Sequence, residues 1–130
     1  VFCYYNDSKA TNPDAAIRGI GSMNRKTLLI GGGYDKKLEF DAWIESFDGK
    51  ENSLLLIGQT KDKIAVCARK HGFENIVCCD TLNEAVNICY RLAKPGEAVL
   101  LSPACASWGD FKDYTQRGEL FRQYVMELPE

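Results

Sequence analysis

Continuous apolar runs, each followed by a helical pattern, are the feature that most constrains the fold of this chain. The runs at 26–30, 53–57 and 98–101 carry apolar residues at consecutive positions, without the alternation of a strand that has one face in water. Strands of this kind belong to parallel sheets that are covered by helices on both faces. The pattern therefore predicts an α/β fold around a buried, mostly parallel sheet.

The same pattern predicts five strands that alternate with five helices. The strands are expected at 1–5, 26–30, 53–57, 75–79 and 98–101, and the helices at 13–23, 38–47, 61–70, 82–92 and 118–128. Residues suited to helix N-caps precede three of the helices, namely Asn12, Thr60 and Thr81. We expect residues 1–130 to form one domain, a three-layer Rossmann-like open sheet with helices on both faces.

The composition and charge exclude several functional classes. The chain is 45% hydrophobic and 26% charged, with a formal net charge of -2 and basic residues interspersed among acidic ones. This balance argues against nucleic-acid and membrane partners, and the apolar runs are far shorter than the roughly 20 residues that span a bilayer. We therefore predict a cytoplasmic protein with a small ligand. Because Val1 opens the chain without an initiator methionine, we also expect it to be cut from a longer protein.

The cysteines and the single histidine predict no metal site and no nucleophilic pair. Six cysteines are present without a C-x-x-C pair, most of them within apolar strand or helix patterns, so we interpret them as reduced core residues. His71 is alone, and no cluster has the spacing of zinc ligands. Cys105 and His71 lie far apart along the chain without an orienting group, which argues against a Cys–His nucleophile.

Two loops that follow predicted strands carry polar chemistry. Ligands of open α/β sheets bind at the carboxyl ends of the strands, so these loops are candidate sites. The loop at 6–13 combines an acid, a base and hydroxyls before a helix N-terminus, which favours anions, although a capped polar turn explains it equally well. The loop at 31–37 begins with three glycines and ends with two lysines, but it has neither P-loop nor G-x-G-x-x-G spacing. A tight turn is its alternative interpretation.

The loop at 101–114 is rich in small residues and then in aromatic ones. Its aromatic residues, spaced by three, are Trp108, Phe111 and Tyr114, and they could instead form a short amphipathic turn that docks on the core. Together the three loops offer ammonium and hydroxyl groups at one sheet edge, from Lys9, Thr11, Lys36 and Ser107. Such groups suit a small dicarboxylate or a phosphorylated intermediate. We infer half of an active site, because no complete catalytic set is present.

Four motifs in these loops resemble the C-terminal domain of the Mur ligases. They are N-D-S-K-A-T-N at 6–12, G-G-x-x-K at 32–36, L-S-P-A-C-A-S at 101–107 and F-K-x-Y-x-x-R-G at 111–118. The match covers nearly the whole chain, with the motifs in the family's order. The first loop lacks the aromatic-x-H-x-P or x-N-x-P patterns of other Mur ligases, and no D-N-P-R motif is present. The resemblance is therefore to the members of the family that add D-glutamate.

The resemblance implies a bacterial, cytosolic, ATP-dependent ligase of peptidoglycan synthesis, with roles in cell-wall biogenesis, cell shape and cell division. In such an enzyme the carboxylate of UDP-N-acetylmuramoyl-L-alanine is phosphorylated to an acyl phosphate, which the amine of D-glutamate then attacks. The N-terminal UDP-binding domain and the central ATPase domain, which holds most of the ATP and Mg²⁺, are absent from this chain. We expect the chain alone to be inactive.

The resemblance also implies roles for individual residues. Those expected to bind D-glutamate are Thr11, Lys36, Ser107, Trp108 and Tyr114. Asp7 is expected to contact the ATP ribose, and Lys9 to lie near the phosphates and the reacting centre as the catalytic residue. Tyr114 stands where many relatives have phenylalanine, and Trp108 where an aliphatic residue is common. No metal ligand is expected in this chain.

Three alternatives remain open. The chain could be a stand-alone nucleotide-binding module of the Rossmann type, an interpretation that rests on the fold and the glycines at 31–33. It could belong to another amino-acid ligase of the Mur and folylpolyglutamate group. It could also be a structural interaction domain without a small ligand, although three polar loops at one sheet edge argue against that.

Overall fold

The computed structural model describes residues 3–47, 49 and 51–129, with the backbone alone described at 51 and 52. The five strands are β1 (Cys3–Asn6), β2 (Thr27–Gly31), β3 (Glu51–Leu56), β4 (Ile76–Cys78) and β5 (Ala98–Leu101). The five helices are α1 (Pro13–Gly21), α2 (Asp41–Glu45), α3 (Lys61–Lys70), α4 (Leu82–Leu92) and α5 (Tyr114–Met126). The alternation of strand and helix is confirmed, while residues 1 and 2 of the predicted first strand lie outside the described residues.

The strands form one parallel sheet in the order β1-β5-β2-β3-β4. The central strand β2 is buried along its whole length, as its uninterrupted apolar run predicts. Because β1, β5 and β2 are neighbours, the three loops that carry the sequence motifs leave the sheet side by side. The three-layer, parallel α/β prediction is confirmed, and the topology itself brings the candidate loops together.

Two core layers cover the two faces of the sheet. Alternate side chains of β2 enter opposite layers, so that Leu29 packs with α1, α2 and α3, whereas Leu28 and Ile30 pack with α4 and α5. Trp43 anchors the first layer and Phe121 the second, and both side chains are fully buried. Both faces of the sheet are therefore covered by helices of this chain. Of the helices that the structure describes, none has the length and apolarity needed to cross a membrane.

The predicted N-caps hold for two of three helices. The Asn12 side chain accepts a hydrogen bond from the Ala15 amide at 2.9 Å, and Thr81 Oγ1 accepts one from the Glu84 amide at 3.1 Å. Thr60 precedes α3 but makes no capping bond. Its hydroxyl instead accepts a hydrogen bond from the amide of Gly33, so that a tertiary contact replaces the local cap.

The predicted bounds differ most from the structure at two helices. The fifth helix begins at Tyr114 and not at 118, because Asp113 caps it by accepting a bond from the Gln116 amide at 2.8 Å. Gly118 therefore lies inside the helix, where a Cβ would come within 3.2 Å of Ser8, so its lack of a side chain allows α5 to approach the first loop. The second helix covers only Asp41–Glu45, because residues 38–40 of the predicted helix lie in irregular structure.

The cysteines are free thiols, as predicted, but only half of them are core residues. Cys79, Cys89 and Cys105 are buried, and Cys67 is half-buried. Cys3 and Cys78 are exposed, because the short strands β1 and β4 lie at the two edges of the sheet. The interpretation of all six as core residues is therefore wrong for the edge strands.

Candidate functional site

The loops after β1, β2 and β5 meet at the carboxyl edge of the sheet. The loop after β5 lies between the other two, since its Ala104 amide donates to the Ala10 carbonyl at 3.0 Å. On its other side the Gly32 amide donates to the Pro103 carbonyl at 2.9 Å, and the Tyr34 amide donates to Ala106 at the same distance. Three segments distant in sequence thus form one hydrogen-bonded edge.

The glycines after β2 serve packing between loops. Gly32 has a φ of +100°, and a Cβ there would overlap the carbonyl oxygen of Ile57. A Cβ at Gly33 would lie 2.6 Å from the carbonyl oxygen of Ala106. The close backbone approach that these glycines allow is therefore to the neighbouring loops of the protein, which favours the tight-turn interpretation and removes the main support for a dinucleotide-binding loop.

Tyr34, Lys36 and Trp108 form an exposed group that we call the aromatic mouth. The Lys36 Nζ lies 5.3 Å from the centroid of the Trp108 ring, in the geometry of a cation–π contact. Tyr34 meets the same indole edge-on, with 5.3 Å between ring centroids. Trp108 is 56% exposed, so the ammonium sits over a ring that faces solvent. Two residues predicted to bind D-glutamate are thus in contact, and Tyr34 joins them without having been predicted.

The loop that carries Lys36 is anchored by Asp35. Its Oδ1 accepts a hydrogen bond from the Lys37 amide at 2.8 Å and lies 3.4 Å from Lys63 Nζ. The hydrogen bond from the Lys37 amide, and to a smaller extent the ammonium of Lys63, hold the pKa of Asp35 below its ordinary value. The Asp35 amide in turn donates to Gln59 Oε1 at 2.9 Å. The loop is therefore held in place while the Lys36 side chain stays exposed.

Ser107 and Tyr114, two further residues predicted to bind D-glutamate, differ in their exposure. Ser107 is buried, and its carbonyl accepts a hydrogen bond from the Phe111 amide at 3.0 Å. Tyr114 is the first residue of α5 and is 43% exposed. Phe111 packs on the second core layer, whereas Trp108 and Tyr114 face outward. The predicted docking turn therefore holds for Phe111 alone.

The loop after β1 lines a separate cleft. This cleft of about 550 Å³ lies between β1 and α1, and its lining includes Asp7, Lys9 and Arg18. Asp7 Oδ2 accepts a hydrogen bond from Ser102 Oγ at 2.9 Å, which ties the carboxylate to the tip of β5. Lys9 is exposed, and Thr11 is half-buried. The residues predicted to contact ATP thus share one concave surface, which carries two cations.

The chain also matches a protein family. The family model described as "Mur ligase, glutamate ligase domain" covers residues 2–105. The chain belongs to the Mur ligase family. The resemblance that the loop motifs indicate is confirmed, and the loops after β1 and β2 lie inside the matched range, with most of the loop after β5 beyond it.

Several curated relatives of this Mur ligase domain are named UDP-N-acetylmuramoylalanine--D-glutamate ligase. The protein from Lachnoclostridium phytofermentans is 59% identical over 125 residues, and that from Lachnospira eligens is 54% identical over 125 residues. The protein from Thermoanaerobacter sp. strain X514 is 50% identical over 127 residues. Each comparison covers 96% of this chain but 28% of the relative. The chain therefore spans less than a third of the length of the curated relatives it matches.

A solved structure shares the fold of the Mur ligase domain. It is a crystal structure of a domain from Haemophilus ducreyi 35000HP, from a protein described as a UDP-N-acetylmuramate:L-alanyl-gamma-D-glutamyl-medo-diaminopimelate ligase. The TM-score is 0.52 at 16% identity, and the superposition covers 88% of this chain and 85% of that one. At this identity the similarity shows the fold alone, and it agrees with the architecture described above.

A buried arginine that the sequence analysis did not select holds two of the loops of the Mur ligase domain together. Arg117 is fully buried and donates through Nε to Ser8 Oγ at 3.0 Å and through Nη2 to the Ser8 carbonyl at 2.7 Å. Its Nη1 donates to the Cys105 carbonyl at 2.9 Å. We call Ser8, Cys105 and Arg117 the loop junction. It joins the loop after β1 to the loop after β5.

The electrostatics of the loop junction are unusual because all three acceptors are neutral. Burial lowers the pKa of Arg117 to about 10, so the side chain is still charged at neutral pH. Arg117 belongs to the F-K-x-Y-x-x-R-G motif, and with the helix starting at Tyr114 it is one turn before Phe121, on the buried face. A correct helix start would have placed this charge among core positions and drawn attention to it.

Cys105 has the properties of a structural thiol. Its Sγ lies 3.4 Å from Thr60 Oγ1, and burial raises its pKa to about 11, so it is protonated at neutral pH. His71 contacts Asp41, with 2.7 Å between Nε2 and Oδ1, and not Cys105. The described partners of the two residues are therefore different, Thr60 for Cys105 and Asp41 for His71.

The donor groups at the carboxyl edge do not suit a divalent cation. Within residues 3–47, 49 and 51–129, these loops bring no three His, Cys or acidic side chains together closely enough to share one ion. Mg²⁺ prefers several oxygen ligands in octahedral geometry, which the loops described here do not assemble. The loops contribute the cations Lys36, in the aromatic mouth, and Lys9, in the cleft. Arg18 of α1 lines the same cleft.

Proposed function

We propose that this chain is the C-terminal, amino-acid-binding domain of a UDP-N-acetylmuramoylalanine–D-glutamate ligase, and that residues 1–130 form that single domain. The name is common to the relatives that share half or more of their aligned residues with it. In this proposal the N-terminal UDP-binding domain and the central ATPase domain belong to the rest of a longer bacterial protein. That protein acts in the cytoplasm, in the peptidoglycan synthesis on which cell shape and division depend.

The proposed reaction joins D-glutamate to UDP-N-acetylmuramoyl-L-alanine. A carboxylate oxygen of the alanyl group takes the γ-phosphoryl group of ATP, which gives an acyl phosphate and ADP. The amine of D-glutamate then attacks the acyl carbon, a C–N bond forms, and inorganic phosphate leaves. Mg²⁺ and most contacts to ATP are assigned to the central domain. The chain described here binds the acceptor amino acid and closes over the nucleotide. This closure brings the amine close to the acyl phosphate, as the second step requires.

The single observation that supports the proposal is the cation of the aromatic mouth, which the loops after β2 and β5 form at the carboxyl edge of the sheet. D-glutamate presents two carboxylates, and each requires a cation or several hydrogen-bond donors once it leaves water. Lys36 over Trp108 provides the cation. Thr11, Ser107 and Tyr114 are assigned as further donors from the other two loops.

The cleft beside β1 is assigned to the nucleotide side of the reaction. Asp7 is assigned to the ribose, whose hydroxyls can donate to a carboxylate. Lys9 is assigned to the phosphates and the reacting centre, where its exposed ammonium would stabilise the negative charge that develops as the amine attacks. Arg18 lines the same cleft and adds a second positive charge.

The test uses the full-length protein that contains this chain. Phosphate release is measured with ATP, Mg²⁺ and UDP-N-acetylmuramoyl-L-alanine, and with D-glutamate, L-glutamate or L-lysine as the acceptor. We expect release to require D-glutamate, and the 130-residue chain alone to release none. Release that requires a different acceptor contradicts the D-glutamate site but keeps a ligase, whereas no release with any acceptor contradicts the ligase function.

A further inference from the structure

A second group of reactive side chains lies away from the three loops. Helix α3 starts after β3 and runs back toward the start of β4, so its last turn is at the amino edge of the sheet, opposite the aromatic mouth. Cys67 and His71 are four residues apart at this end of α3, and therefore on one face. Asp41, the first residue of α2, comes against them from the neighbouring helix.

The donor atoms of these three residues converge. His71 Nε2 and Asp41 Oδ1 are 2.7 Å apart, and the thiol, imidazole and carboxylate donor atoms all lie within 4.8 Å of one another. The His71 side chain is 26% exposed and that of Asp41 is 37% exposed. Cys67 packs against the first core layer. The group is therefore shielded on one side by the core and open to solvent on the other.

We propose that Asp41, Cys67 and His71 form a zinc site with three protein ligands. Thiolate sulfur, imidazole nitrogen and carboxylate oxygen are the three ligand types that Zn²⁺ takes in proteins. Zinc bond lengths of about 2.0–2.3 Å place tetrahedral ligands about 3.3–3.6 Å apart. The present separations reach that spacing through side-chain shifts of about 1 Å. The fourth position faces solvent and takes a water molecule.

Binding replaces the proton of the Cys67 thiol. The thiol transfers that proton to solvent as the sulfur–metal bond forms, while His71 binds through Nε2 and Asp41 through a carboxylate oxygen. Burial first, and then the charge of Asp41, raise the pKa of Cys67 to about 11. The arrangement disfavours a free thiolate, and a dication between the sulfur and the carboxylate reverses that electrostatic balance.

Neighbouring charges act on the site in both directions. Lys70 Nζ lies 3.7 Å from Asp41 Oδ1 and competes with a bound cation for the carboxylate, but its side chain is 72% exposed and free to turn away. The carboxylate of Glu39 adds negative charge near Cys67. Because both ligand-bearing helices pack on the same core layer, a bound ion would tie the start of α2 to the end of α3.

The test is a Co²⁺ titration of the 130-residue chain, in which both core layers are complete. The starting variant carries Cys3→Ser and Cys78→Ser, because these exposed thiols lie outside the group and would bind metal on their own. We expect one Co²⁺ per chain, a thiolate-to-cobalt absorption band in the near ultraviolet, and displacement of the band by Zn²⁺. Cys67→Ser should remove the band, and His71→Ala should weaken binding by at least about tenfold.

Lys70→Gln is the matched control, since it changes a charged neighbour on the same helix that is not a ligand. It should keep the band and bind Co²⁺ at least as tightly. Thermal unfolding without metal verifies that each variant folds. If Cys67→Ser does not fold, His71→Gln replaces it as the decisive variant. The proposal is overturned if the starting variant gives no band, or if the band persists unchanged when a ligand is removed.

Discussion

The loop junction and the aromatic mouth each contain one cation from the same sheet edge, but they use it in opposite ways. Arg117 is fully buried and all its hydrogen bonds go to neutral oxygens of two loops. Lys36 is exposed, and its ammonium lies over the face of Trp108. A buried guanidinium bound in this way positions backbone, whereas an exposed ammonium remains available to a ligand. The comparison separates a residue that holds the edge together from a residue that is exposed there and that we propose binds the ligand.

The largest expected effect is on stability, at the loop junction. Arg117→Met removes three hydrogen bonds and leaves buried oxygens of Ser8 and Cys105 without donors, so the free energy of unfolding should fall by about 3 kcal/mol or more. Urea unfolding of the 130-residue chain measures it. Arg122→Met is the control, because this arginine of α5 is exposed and its loss should cost less than about 0.5 kcal/mol. Equal losses in the two variants would contradict the role of the junction.

The next effect is on ligand binding, at the aromatic mouth. In the full-length protein, Lys36→Ala should raise the KM for D-glutamate by at least about tenfold, since one carboxylate loses its cation. Its unfolding midpoint should stay within error of the unchanged protein. Lys37→Ala is the matched control, because Lys37 is the next residue and its side chain is 87% exposed beside Asp35. A KM that changes equally in both variants would reject Lys36 as a specific contact.

A pH dependence should distinguish the buried junction from exposed positions. Burial raises the folded-state pKa of Cys105 from 9.0 to about 11, so the unfolded chain loses this proton first as the pH rises. Stability is therefore complete below pH 9 and falls between pH 9 and 11. Cys105→Ala should reduce this alkaline loss by about 2–3 kcal/mol, because each pKa unit corresponds to about 1.4 kcal/mol. Cys78→Ser, at an exposed thiol, should not change it. An unchanged slope in Cys105→Ala would contradict the assignment.

The smallest effect concerns the ring beneath Lys36. Trp108→Leu removes the cation–π contact, which contributes about 0.5–1 kcal/mol at exposed sites, so the KM for D-glutamate should rise about two- to fivefold. Trp108→Phe keeps an aromatic ring, so its KM for D-glutamate should lie between those of the unchanged protein and Trp108→Leu. Steady-state kinetics of the full-length protein with each variant provides the measurement. A value for Trp108→Leu within error of the unchanged protein would show that the ring does not position Lys36.

Much of this domain could be predicted from local patterns. Strands β2, β3 and β5 are predicted by their apolar runs. The starts of α1 and α4 are predicted by Asn12 and Thr81, whose side chains accept hydrogen bonds from amides three residues later. The convergence of three loops follows from their place after parallel strands. These features depend on interactions that are short in sequence or are common to a whole fold class.

The features that the sequence did not predict depend on contacts between residues that are far apart along the chain. Thr60 lies at a position suited to capping but bonds to Gly33, and Arg117 lies within a recognised motif but bonds to Ser8 and Cys105. Tyr34 has no local pattern that links it to Trp108. In each case the partner is set by the strand order and by the approach of a helix, which residue types alone do not encode.

By itself, the sequence of this protein determined the fold class, the family and the candidate loops, because backbone propensity, apolar periodicity and motifs can all be read along the chain without knowledge of distant contacts. Only the tertiary structure decided which polar side chains are exposed at the carboxyl edge and which hold the loops together. A positive charge can bind a ligand or hold loops together, and burial decides between the two. Lys36 is hydrated and can replace that water with a ligand, whereas the hydrogen bonds of Arg117 already go to oxygens of the protein itself.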